Sequence, residues 1–90
     1  MSYTQSSIRT LADLGLRVSQ ARRAAGITAT AVSQRSGRSR DILHRLERGD
    51  DVSVSSLLDI LQATGYQLEL TPTRAPTLAE VQERFAADKD

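Results

Sequence analysis

Short segments opened by a hydroxyl residue and closed by glycine govern what this chain can fold into. Gly26, Gly37, Gly49 and Gly65 each follow an apolar-periodic stretch, and Thr10, Thr28, Ser39 and Ser53 each precede one. Serine and threonine satisfy the orphan amides of a helix start, and glycine accepts the left-handed backbone that ends one. The spacing predicts four helices, the inner two only about eight and nine residues long, too short to stand without tertiary packing. In the first, Thr10 and Asp13 resemble a capping box, and Leu11, Leu14, Val18, Ala21 and Ala25 form one apolar stripe. Val32 anchors the second; Ile42, Leu43 and Leu46 face inward from the third; Val54, Leu57, Leu58, Ile60 and Leu61 give the fourth a broad apolar face.

Beyond Gly65 the pattern changes. Tyr66, Gln67, Leu68, Glu69, Leu70 and Thr71 alternate apolar and polar, a strand signature, and Pro72 and Pro76 bound a linker. Thr77 with Glu80 opens a short last helix whose Leu78, Val81 and Phe85 share an edge, while residues 1–9 read as a loose arm. The expected organisation is an arm over 1–9, a helix-turn-helix domain over 10–65, a strand over 66–72, and a linker with a short helix over 73–90.

Composition removes several function classes. The chain of 90 residues has no cysteine, which excludes disulfide scaffolds, thiolate metal sites and thiol catalysis. A lone His44 argues against a metal centre, and three aromatic residues are too few for base-stacking platforms. No carboxylate pair, nucleophile–base pair or phosphate loop is apparent, so neither an enzyme nor a cofactor is expected. No apolar run approaches the roughly 18–20 residues of a membrane span, and the first residues lack the pattern of a secretory signal, so the expected location is cytoplasmic.

The net charge of +1 conceals a division. Residues 17–48 hold eight arginines against Asp41 and Glu47, whereas residues 49–90 hold eight acids against Arg74, Arg84 and Lys89. A basic first half with an acidic tail implies an anion-binding face and a second surface kept away from that anion.

The anion is identified by residues 28–49. Two short helices around a glycine turn present the N-terminal end of the second as a probe for the DNA major groove, where side chains of the first turn and the next reach base edges. Those positions are Arg40, Asp41, His44 and Arg45. The planar forks of Arg40 and Arg45 suit guanine; Asp41 suits cytosine or holds an arginine; His44 suits a base or a phosphate. Backbone contacts are expected from Thr28, Ala29 and Thr30 at the start of the second helix, from Ser39, and from Arg35, Arg38 and Arg48. Glu47 reads as a structural partner of Arg22 rather than a catalytic acid.

These residues, from Val18 through Arg22, Gly26-Ile27-Thr28, Gly37, Ser39-Arg40 and Leu46-Glu47-Arg48-Gly49 to Leu57-Leu58, resemble the Cro/repressor-type (XRE) helix-turn-helix domains. The resemblance implies a mainly α, four-helix, lambda-repressor-like DNA-binding domain and an ion pair of Arg22 with Glu47. Two departures stand out: Ala29 where the family often has glutamine, and Arg38 where it often has an apolar residue. The run from Ile60 to Leu70 is similar to the ending of Hip-type antitoxins. That likeness implies an intersubunit sheet in a homodimer, burying Tyr66, Leu68 and Leu70, and a kinase-like toxin as partner. The expected function is repression at a palindromic operator; the alternatives are a regulator without a toxin and an adaptor that no longer binds DNA.

Overall fold

The computed structural model describes residues 7–73 together with 79, 82 and 83. Within residues 7–73 four helices follow in order: α1 over Leu11–Ala24, α2 over Ala29–Ser36, α3 over Arg40–Arg48 and α4 over Val54–Thr64. Each start has the same chemistry. The hydroxyls of Thr10, Thr28, Ser39 and Ser53 accept from the amides of Asp13, Ala31, Ile42 and Ser56 at 3.0–3.2 Å. The α2–α3 turn needs its glycine for conformation alone. Gly37 sits at φ +73 with open space where a Cβ would be, so the left-handed backbone is the whole requirement.

The core is a cluster of Val18, Val32, Leu43, Leu46, Ile60 and Leu61, one or two residues from each helix. Leu43 and Leu46 are three residues apart and share the inner side of α3, leaving the opposite side to polar residues. On α4 the buried arc runs through Ser56, Ile60, Leu61 and Thr64, with Leu57 beside it. Val54 and Leu58 lie past its rim, 67% and 39% exposed, so the inward face of α4 is narrower than the run of apolar residues suggests. The two buried hydroxyls are paired: Ser56 Oγ accepts from Ser53 Oγ at 2.8 Å, and Thr64 Oγ1 donates to the Leu61 carbonyl at 2.8 Å.

One close approach fixes how α1 lies on α3. Gly15 is buried where a Cβ would stand 2.7 Å from the carbonyl oxygen of Glu47 and nearer still to that of Leu46. Only a residue without a side chain lets the backbone of α1 touch the C-terminal turn of α3.

After Gly65 the chain runs on without joining a sheet; no strand occurs among the described residues. Tyr66, Leu68 and Leu70 are 49%, 50% and 94% exposed in the single chain. An alternating segment needs a partner strand before it becomes a strand, and one chain supplies none. The short helix expected from Thr77 onward lies mostly outside the described residues; the three of its positions that are described, 79, 82 and 83, are helical.

Candidate nucleic-acid interface

The α2–turn–α3 unit presents one polar face. Arg40, Asp41, His44, Arg45 and Arg48 are all exposed, while Leu43 and Leu46 behind them are buried. The four side chains expected to read bases therefore share the solvent side of one helix with its N-terminal turn open. Asp41, His44 and Arg45 have no side-chain partner among the described residues. Arg40 does: its Nη1 donates to Thr30 Oγ1 at 3.2 Å, from the first residue of α3 to the second of α2.

The residues expected at phosphates are placed differently from one another. Thr28 caps α2, and the amides of Ala29 and Thr30 occupy the first turn, where no carbonyl four residues back within the helix exists to receive them. Ser39 accepts from Ile42 and keeps its hydroxyl proton to donate. Arg35 is exposed and donates to the Ala63 carbonyl at 3.5 Å, toward the C-terminal end of α4.

Arg48 pairs with Asp50 at 2.9 Å, both largely in water. Arg38 is half-buried: its Nε and Nη2 donate to Asp59 Oδ2 at 3.0 and 2.8 Å, and Ser33 Oγ donates to its carbonyl at 2.6 Å. The bonds to Asp59 tie the turn to α4, and the bond from Ser33 ties it to α2. Sequence reasoning missed both acids. Asp50 stands two residues from Arg48 and left a local signal, whereas Asp59 is separated from Arg38 by a whole helix and left none.

Arg22 and Glu47 meet at the base of the unit. Arg22 Nε and Nη2 donate to the two carboxylate oxygens of Glu47 at 2.7 and 3.1 Å, and Nη1 donates to the Ile27 carbonyl at 3.3 Å. One guanidinium thus joins α1, the α1–α2 turn and the end of α3. The hydrogen bond to Glu47, and that residue's charge, raise the Arg22 pKa against the opposing effect of burial. No group of three metal-liganding side chains comes together among the described residues, and none of their helices is long and apolar enough to cross a membrane.

Four short helices around a glycine turn, with a basic exposed helix at the second position of the unit, define a helix-turn-helix protein. The family model for the helix-turn-helix domain matches residues 13–73, and the chain belongs to that family. Two solved structures share the fold. A HipB S29A variant in complex with an O2 20mer has a TM-score of 0.71 at 17% identity, covering 79% of this chain and all of that one. HipB in complex with an O4 20mer also scores 0.71 at 17% identity, over 78% of this chain and the whole of the other. No curated protein matches the chain in sequence.

Proposed function

We propose that this protein is a sequence-specific DNA-binding repressor of the Cro/repressor kind, HipB-like, acting as a homodimer and as the antitoxin of a toxin–antitoxin operon. The observation that carries the reading is the solvent side of α3, where Arg40, Asp41, His44 and Arg45 stand exposed on a helix whose other side is locked in the core. Family membership and the likeness in fold to HipB support it. In this reading the N-terminal half of α3 enters the major groove. Arg40 and Arg45 take guanine edges, Asp41 accepts from cytosine, and His44 meets a base or a phosphate.

Phosphates are held by the amides of Ala29 and Thr30, the hydroxyls of Thr28 and Ser39, and Arg35. Arg48 joins them by exchanging its exposed pair with Asp50, which holds it weakly. Arg38 reaches a phosphate only by giving up two bonds to Asp59. The dimer forms through residues 66–71: the Tyr66 amide already donates to the Leu61 carbonyl at 2.9 Å, and a second copy covers the exposed Tyr66, Leu68 and Leu70 and pairs with the backbone beyond that amide. Two copies of α3 then meet a near-palindrome with half-sites about 34 Å, or a multiple of it, apart. The partner toxin, kinase-like by the resemblance to Hip-type antitoxins, meets the acidic C-terminal segment of the sequence.

The test is binding of the purified protein to a duplex carrying its own promoter region and to scrambled DNA, across a salt series. Tight, palindrome-dependent binding that falls steeply with salt is expected. Equal, weak binding to both duplexes refutes the reading. Truncation after Gly65 should leave a monomer by sedimentation; a truncated chain that still dimerises refutes the strand.

A further inference from the structure

We propose that Thr30 is a positioning residue for sequence reading: its hydroxyl aims the Arg40 guanidinium at one base pair. The inference rests on the DNA-binding reading above and deepens it. Among the described residues Thr30 is the side-chain partner of Arg40, with Nη1 donating to Oγ1 at 3.2 Å. Asp41, adjacent and acidic, is not engaged with it. The residue of α2 that supports Arg40 is the second of that helix; the first, Ala29, has no polar atom to offer.

The chemistry favours this role over a plain phosphate contact. Guanine is read by two parallel N–H bonds, so the plane of the guanidinium has to be set, and a free arginine has many rotamers to lose. One bond at Nη1 removes part of that freedom before DNA arrives and leaves the Nη2 and Nε hydrogens for the base. Thr30 accepts with a lone pair here, so its own hydroxyl proton remains to donate to a phosphate. The same side chain would then link the backbone position of the DNA strand to the angle of the reading arginine.

The two roles predict different signatures. A phosphate contact weakens binding to all sequences alike, whereas a positioning contact changes discrimination at the one base pair read by Arg40. The experiment uses the full chain. Wild-type protein selects duplexes from a randomised pool, and affinities are then measured by anisotropy for the selected duplex and for versions changed one base pair at a time. R40A marks the position it reads. With T30V, which keeps the shape and removes the hydroxyl, discrimination at that position should fall about fivefold to tenfold while other positions hold. T30A should do the same, T30S should stay within about twofold of wild type, and T30V should add nothing to the loss in an R40A background.

A uniform loss across all duplexes with unchanged ratios overturns the positioning role alone, as does a T30V effect on discrimination that persists without Arg40. Failure of the wild type to enrich any sequence removes the DNA-binding reading itself, and this inference with it.

Discussion

Replacing Glu47 by glutamine tests the ion pair that joins α1 to the end of α3. The pair it forms with Arg22 has two hydrogen bonds and side-chain exposures of only 14% and 11%. Removing one partner of a fully buried pair costs about 3–5 kcal/mol, because the remaining charge is left unpaired in a poor solvent. Here a little water still reaches both groups and Arg22 keeps its bond to Ile27, so we expect about 2–3 kcal/mol. That is a large part of the roughly 5–10 kcal/mol available to a domain of this size. With an m value near 1 kcal/mol/M, the urea midpoint at pH 7 should fall by about 2–3 M. The R22M/E47L double variant should lose less than the two single losses together, since no charge is stranded.

The pH dependence has a definite sign. Glu47 raises the Arg22 pKa above its unfolded value, so this contribution is whole below that value and fades only as pH rises through the raised one, in strongly alkaline solution. A midpoint shift in E47Q below about 0.5 M would place the pair with ordinary surface ion pairs and refute the argument.

Other perturbations follow from the same contacts. Gly15→Ala gains about 1 kcal/mol of helix propensity but drives a Cβ into the carbonyls of Leu46 and Glu47; the steric term wins, and the melting temperature should fall by about 5–20 °C, a result that a melt at or above wild type would exclude. Asp50→Asn releases Arg48, leaving stability within about 0.5 kcal/mol while DNA affinity rises about twofold to fivefold at low salt; an unchanged affinity would mean that Arg48 faces no phosphate. Arg40→Ala and Arg45→Ala should each reduce discrimination between operator and mutated operator, and Arg35→Ala should weaken both complexes alike in the same anisotropy titration. Equal losses in all three variants would end that division of labour.

The helices were legible in the sequence because their boundaries are written in local chemistry. A hydroxyl that caps and a glycine that turns left-handed act within three or four residues, so α3 begins after Ser39 and ends before Gly49 on those signals alone. The Arg22–Glu47 contact was legible through a motif. What escaped depends on distance through space. Asp59 reaches Arg38 from another helix, and Thr30 reaches Arg40 across the turn; neither leaves a periodic trace. Gly15 leaves no signal of its role because a glycine within a helix registers in sequence only as weak propensity, and its close approach to α3 exists only once two helices are packed. The alternation over residues 66–71 predicts a strand, but a strand is a property of a pair, and the single chain leaves this segment exposed and outside any strand.

The contacts around α3 divide into a frame and a face. Its C-terminal turn is held by Glu47 on Arg22 and by the backbone of Gly15; its N-terminal approach is held by Ser39, by the bond from Ser33 to the Arg38 carbonyl, and by Arg38 on Asp59. Its outer side carries Arg40, Asp41, His44 and Arg45, none of which the core needs. A helix so fixed presents its side chains at a constant angle, and reading bases through paired hydrogen bonds tolerates little error in that angle. Frame and face should therefore fail differently. Changes at Glu47 or Gly15 should lower the urea midpoint and loosen base discrimination together, since the helix itself shifts. Changes at Arg40 or Arg45 should loosen discrimination with the midpoint unmoved, and a frame variant that melts early yet discriminates as well as wild type would mean that α3 is held by the core alone.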